Sequence, residues 1–203
     1  MPEINSNKIR YGIQDVHVSG VEVDASTQAI TYETPRRLPG AVSLSLDPEG
    51  DTSPFYADNV VYYRSTANNG YTGSLELALV PDWFRIAYLG EVKDSNGVIV
   101  EQSGNAEPKY FALLFQFQGD IKAIRHVLYY CTVSRPSNEG STKEDAVAPQ
   151  TETLNITADP RPGDQLVKAR TGDDTASETY NSWYTTVYVP TVDSNGDIQV
   201  AAG

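Results

Sequence analysis

Polar and apolar residues alternate strictly in several stretches of the chain, and a period of two marks a strand with one face on a core and the other in water. Val42, Leu44 and Leu46 are separated by Ser43 and Ser45, and Leu75, Leu77 and Leu79 by Glu76 and Ala78. Leu154 and Ile156 stand between Thr153, Asn155 and Thr157. Two segments are denser and predict central strands. Phe111 to Gln118 sets Leu113, Phe115 and Phe117 on one face, and Val127 to Val133 sets Val127, Tyr129, Cys131 and Val133 on one face. The two pair as a hairpin through Gln118 to Ile124. Arg10 to Asp24 alternates as well, with Tyr11, Ile13, Val16 and Val18 as inward positions, and Ala29 to Glu33 continues the pattern.

A helical period occurs in two places. Pro81-Asp82 opens a short run in which Phe84, Ala87 and Tyr88 share a face, with Gly90 as its stop. The second run starts near Thr175 or Ser177, either of which can cap free N–H groups. It puts Tyr180, Trp183, Tyr184 and Val187 on one side before Pro190, as an amphipathic helix covering a face of the sheet.

Between these elements Asp47 to Gly73, Lys93 to Lys109 and Ser134 to Gln150 are rich in Asp, Asn, Ser, Gly and Pro, and are loops by composition. Loops of this length are uncommon unless they perform a task. Asp47 to Gly73 stands out because it also carries Phe55, Tyr56, Val60, Val61, Tyr62, Tyr63 and Tyr71. A solvated linker has no use for seven large apolar or aromatic side chains, whereas an arm that docks on a neighbour does. Phe55, Tyr56, Tyr62, Tyr63 and Tyr71 are therefore the candidate inter-subunit contacts.

Composition agrees with a β protein. The 203 residues are 39% hydrophobic and include 13 Tyr against one Met. The length suits one domain, 1–190, with 47–73 as an extended inter-subunit loop and 191–203 as a C-terminal tail. The fold class is mainly β, a sandwich or barrel-like subunit with one or two short helices and a long protruding loop. Net charge is −12, which disfavours ordinary DNA binding because phosphate neutralisation is unavailable to the surface as a whole. A lone Cys131 excludes an intrachain disulfide and suits a reducing cytoplasm. The start at Met1-Pro2-Glu3 lacks a basic-then-apolar signal pattern, and no apolar run approaches the roughly 18 residues a membrane helix needs. The expected product is soluble when made.

Chemistry is hard to place. His17 and His126 belong to no zinc-ligand pattern and are expected to be structural. Cys131 lies in a strand pattern, where a thiol acts as a small hydrophobe rather than a nucleophile. The Asp-Ser-Asn-Gly repeats at 94–97 and 193–196 lack the ligand spacing and closing Glu of a calcium loop, and read as turns. Asp47, Glu49 and Asp51 cluster without a partner motif, and the sequon at Asn155 has no secretory context. Phosphate-cradling loops and nucleophile elbows are missing from the sequence, so neither an enzymatic role nor a cofactor is expected.

Certain segments follow one another in a definite order along the chain. Pro39-Gly40-Ala41-Val42-Ser43-Leu44, Phe55-Tyr56-Ala57-Asp58-Asn59 and Asn69-Gly70-Tyr71-Thr72-Gly73 are followed by Pro81-Asp82 and Lys109-Tyr110-Phe111-Ala112-Leu113-Leu114. Then come Arg125-His126-Val127-Leu128-Tyr129, Ser134-Arg135-Pro136 and Gln150-Thr151-Glu152-Thr153-Leu154. Their order and spacing over residues 5–190 resemble the major tail protein family of siphoviruses infecting Gram-positive bacteria. The resemblance implies hexameric rings stacked into a tail tube, each subunit giving about four strands to a continuous inner barrel. It also implies passage of double-stranded DNA through the lumen at genome ejection, and tape-measure, tail terminator and distal tail proteins as partners. The expected location is the virion tail after synthesis in the host cytoplasm, with no membrane association. A carbohydrate- or receptor-binding β-sandwich is the alternative that the Tyr-rich composition allows, and a β-sandwich glycosidase is a third that no motif favours.

Overall fold

The computed structural model describes residues 7–27, 29–105, 109–137, 140, 149–192 and 198–199. The second Asp-Ser-Asn-Gly turn, most of 191–203 and most of the Ser134 to Gln150 loop lie outside them.

Strands dominate: β1 Arg10–Val23, β2 Ile30–Tyr32, β3 Arg36–Arg37, β4 Ala41–Glu49, β5 Thr52–Ala57, β6 Val60–Thr66 and β7 Gly70–Leu77. The chain continues with β8 Glu91–Lys93, β9 Ile99–Glu101, β10 Phe111–Gly119, β11 Ile124–Val133, β12 Glu152–Ala158 and β13 Lys168–Arg170. Among the described residues the α-helices are α1 Asp82–Tyr88 and α2 Ser177–Ser182. An antiparallel sheet runs β2-β1-β10-β11-β12-β7-β4, with β3 on β1 and β13 on β11. Strand β1, second from one end of this path, and β4, at the other end, approach each other as the sheet curls.

The centre of the sheet is the β10–β11 hairpin, and β10 is buried on both faces from Phe111 to Gln116. It therefore needs a cover on each side. Phe111, Leu113 and Phe115 point into a first core with Leu128, Leu75 and Leu154, and α1 roofs it with Phe84 and Tyr88. Pro81 precedes α1, Asp82 sits in its first turn where the dipole favours an anion, and Gly90 at φ 75 follows its end. Glu152 accepts from the Val80 N–H at 2.5 Å and pairs with Arg85, which also reaches Glu91 at 3.4 Å. These bonds tie α1 to β12.

Ala112 and Leu114 point the other way, into a second core with Val127, Tyr129, Trp183 and Val187. The helix expected over this face is shorter than its apolar spacing suggests. Thr175 Oγ1 accepts from the Gly172 N–H at 2.8 Å and so closes the preceding turn, leaving Ala176 to start α2 without a side-chain cap. Trp183 and Val187 cover the sheet from the turn and coil after α2, with Trp183 Nε1 donating to the His126 carbonyl at 3.3 Å.

Several expected faces are corrected, most of them at β-bulges. In β1 the register slips at Gly12, φ 61, and at Asp15, φ 50, so Val16 and Val18 are buried while Tyr11 is exposed. In β4 a slip between Ala41 and Ser43 turns Val42 outward and leaves Ala41, Leu44 and Leu46 packed on the first core. In β11 both Tyr129 and Tyr130 oppose Ala112, so Val127 and Tyr129 face the second core and Cys131 the first. Each bulge adds one residue and reverses the alternation beyond it. Leu79 lies past the end of β7 and is exposed, with Val80 buried instead. Compositional loops are corrected too, since β5–β6 lies within 47–73 and β8–β9 spans 91–101 around the 94–97 turn.

Two outcomes follow from these packings. His126 is buried, stacked on Phe115 at 5.0 Å with ring planes 5° apart, and neither ring nitrogen has a hydrogen-bond partner among the described residues. Burial first, and then the cations Lys168, Arg170 and Arg10, hold its pKa down from 6.5 to about 4. The unfolded chain binds the extra proton in that window, so stability is unaffected above pH 6.5 and falls as pH drops toward 4, by about 3 kcal/mol in all. Urea unfolding across this range should show the decline, and His126→Phe should remove that part of it. Separately, Glu152→Ala leaves the Val80 N–H and part of Arg85 unpaired and should cost about 3 kcal/mol in the same assay.

Candidate inter-subunit interface

Strands β4 and β7 form one long antiparallel hairpin with β5 and β6. Glu49 pairs with Gly70, the Asn69 N–H donates to the Glu49 carbonyl at 2.8 Å, and the Ala67 N–H to the Asp51 carbonyl at 3.0 Å. Pairing resumes at Thr52 opposite Thr66 and runs to Ala57 opposite Val60. The tip is the two-residue turn Asp58-Asn59, with φ of 52 and 61. Positive φ at both central positions is the type I′ pattern, which matches strand twist and which Asp and Asn tolerate. At the foot of the arm Gly70 has φ 103, and a Cβ there would stand 1.9 Å from the Ala158 carbonyl oxygen. Only glycine fits that joint.

The proximal half of this hairpin packs on the first core, and the distal half packs on nothing among the described residues. Phe55, Tyr56, Tyr62 and Tyr63 are 61–74% exposed, and Val60 and Val61 are exposed beside them. Phe55 lies opposite Tyr63 and Tyr56 opposite Val61, and an irregularity at this point leaves Tyr62 as the extra residue. The arm is apolar on both of its faces. From Gly50 to its tip it is roughly 25 Å long at strand rise.

Four of the five sequence-predicted contact residues are thus brought together on the arm. The fifth, Tyr71, is at its foot, half-buried against the first core, with its hydroxyl accepting from Lys168 Nζ at 2.8 Å. Sequence reasoning missed that the aromatic stretch is itself a hairpin. The signal was present in Asp58-Asn59 between two β-rich runs.

Other features offer little chemistry. Open grooves of about 680 and 690 Å³ lie beside Tyr110 and Tyr130 and beside Ile86 and Lys93. Burial pushes the Cys131 thiol far above its usual range. Among the described residues no group of three His, Cys, Asp or Glu is placed to hold a metal ion, and no helix is long and apolar enough to cross a membrane. His17 stacks on Tyr184 at 4.5 Å with Nδ1 2.8 Å from the Asp15 carbonyl.

Comparison with known proteins gives a family match. No curated protein matches the chain. A solved structure of the cap that terminates the tube of an anti-feeding prophage is 10% identical, over 84% of this chain and 97% of that one, at a TM-score of 0.44. The family model described as phage tail tube protein matches residues 1–188, nearly the whole chain. This mainly β chain belongs to the phage tail tube protein family and is a structural component of a phage tail rather than an enzyme.

Proposed function

We propose that copies of this chain close into hexameric rings and that the rings stack, through the β5–β6 arm, into the tube that conducts the phage genome at ejection. The observation that carries the reading is the arm: six large apolar side chains held in solvent on both faces of a projecting hairpin. Isolated, such a surface is an association hazard, and the area it exposes is repaid only when a neighbour covers it. Because the arm continues β4 and β7, it leaves the body along the strand direction, as a subunit reaching toward the next ring would require. The neighbour is a second copy in the shaft of the tube, with tape-measure, tail terminator and distal tail proteins as the further partners. Residues 1–190 act as one assembling unit.

Strand arithmetic fits this cargo. Six subunits giving four strands each make 24, and at about 4.8 Å spacing and a tilt near 40° the backbone circle is roughly 48 Å across. Side chains leave a bore of about 35 to 40 Å, wide enough for a duplex about 20 Å in diameter, whereas a 12-stranded closure leaves roughly 12 Å. The net charge of −12 suits a wall that must not retain what passes, since carboxylates facing phosphates form no lasting contacts. The lumen is accordingly negative, the protein is made in the host cytoplasm, and its final place is the virion tail.

Purified protein should form rings or tubes as concentration rises, seen by sedimentation and negative-stain microscopy. Phe55→Asp with Tyr62→Asp should keep the far-ultraviolet circular dichroism of the parent and lose the tubes, since interface aromatics of this kind are worth about 2 kcal/mol or more each. A parent protein that stays a single particle at every concentration, or a double variant that polymerises normally, would overturn the proposal.

A further inference from the structure

Apolar side chains are also exposed at the end of the β4–β7 ladder farthest from the arm. Pairing there begins with Ala41 opposite Leu77, whereas the arm leaves beyond Glu49 opposite Gly70. Val42 is 51% and Leu79 68% exposed. An unbroken alternation would carry Val42 inward with Leu44 and Leu46, so the slip between Ala41 and Ser43 puts a valine into solvent. Bulges re-aim side chains in this way at working surfaces.

A groove of about 380 Å³ opens beside this end, with Ile13, Val16, Leu38 and Pro39 in its lining and Asp15 and Arg37 as its charged groups. It forms where the chain leaves β1, after the Leu38 N–H has donated to the Val16 carbonyl at 2.8 Å, and where Asp15 at φ 50 bulges β1. Gly40, also in the lining, accepts from the Ala78 N–H at 2.8 Å, which sets Leu79 one residue from the groove. Asp15 is paired with Arg37 at 3.7 Å, and Arg36 lies over Trp83 at 4.0 Å, so two exposed cations stand at this end.

We infer that this end of the ladder is the acceptor for the arm: the apolar tip of a second copy's β5–β6 hairpin seats in the groove beside Val42 and Leu79. This rests on the tube reading and names the surface that the arm meets. From Thr52 to Thr66 the charged residues are Arg64 and, at the tip, Asp58, and Asp58 comes to Arg36 and Arg37. Donor and acceptor are different surfaces of one chain, so the contact is head-to-tail and repeats without closing, as a stack requires. Both belong to one hydrogen-bonded ladder, so the backbone fixes the spacing from one ring to the next. The β8–β9 hairpin, which exposes Val92 and Val100, is a separate two-stranded sheet with no such link to the arm.

The test uses the full chain under conditions where the parent forms tubes. Cys131 is fully buried, so Ala57→Cys with Leu79→Cys supplies one thiol near the arm tip and one at the acceptor, and leaves every arm aromatic in place. A short bis-maleimide should join copies of this variant into a series of covalent oligomers on a denaturing gel, and should not do so for Ala57→Cys with Val100→Cys. Tubes that give no such series with Leu79→Cys, or give one through Val100→Cys instead, would overturn the inference with the tube reading intact. A parent that forms no tubes would overturn both. A second arm needs no crosslink. Val42→Asp with Leu79→Asp should keep the circular dichroism of the parent and raise the concentration at which tubes form by about thirty-fold or more. Mixed with the Phe55→Asp, Tyr62→Asp chain, it should sediment as a larger species than either alone, because one partner keeps its arm and the other its groove. An acceptor variant that polymerises as the parent does, or a mixture no larger than its parts, would also sink the assignment.

Discussion

A strand pair that is apolar on both faces governs this structure. Once Phe111, Leu113 and Phe115 face one way and Ala112 and Leu114 the other, the sheet cannot be a simple two-layer sandwich with one wet side. Each face of β10–β11 must be sealed, and the chain has two short covering pieces, α1 on the first face and the segment through Trp183 on the second. Both are pinned by polar bonds where their apolar area ends. Arg85 and Glu152 hold α1, and Arg125, stacked on Tyr180 at 3.8 Å and donating to its carbonyl, holds the start of the other. The covering material stops there. Strands β12, β7 and β4 keep one dry face and one bare face, and sequence has to make the bare one polar.

Much of this was legible from alternation, and most of the misplaced faces have one cause. Central strands Phe111 to Gln118 and Val127 to Val133, their hairpin, and the short helix after Pro81 are all where the pattern puts them. The misplaced residues, Tyr11, Val42 and the Tyr129–Cys131 pair, each lie next to a register slip. A period of two is a local rule, whereas a bulge is decided by the partner strand, so sequence parity drifts by one residue wherever the partner demands it. Gly12 offered a hint of the first slip, but Asp15 in a left-handed conformation offered little. The same limit applies to α2, where apolar spacing described a helix of three turns but Thr175 spent its hydroxyl on the preceding turn.

The candidate interface shows the opposite balance. Its residue types were readable, because aromatic side chains crowded among turn formers conflict with a solvated loop. Its shape was not, since Thr52 to Ala57 and Val60 to Thr66 are broken by Pro54 and Asp58-Asn59, and composition outweighed their β propensity. Tyr71 joined the list by proximity in sequence, yet the hairpin places it at the foot, where the core and Lys168 claim it. No local signal separates a Tyr that ends a strand in the body from one that projects.

One hairpin therefore carries two unlike duties. From Ala41 to Glu49 and back from Gly70 to Leu77 it belongs to the body, with one face sealed against the first core. From Thr52 to Thr66 it is an arm, apolar toward its tip from Phe55 to Tyr63. Close packing of Gly70 against the Ala158 carbonyl fixes where one becomes the other, and with no side chain at that joint the two halves cannot be offset without rebuilding β12 beside it. Strand pairing along the whole length makes the arm's direction a consequence of the body's. Whatever holds the arm therefore also constrains the tilt of β4 and β7. Arm and body are joined through backbone hydrogen bonds in a single ladder, which is a more rigid connection than side-chain contacts across a loop would provide.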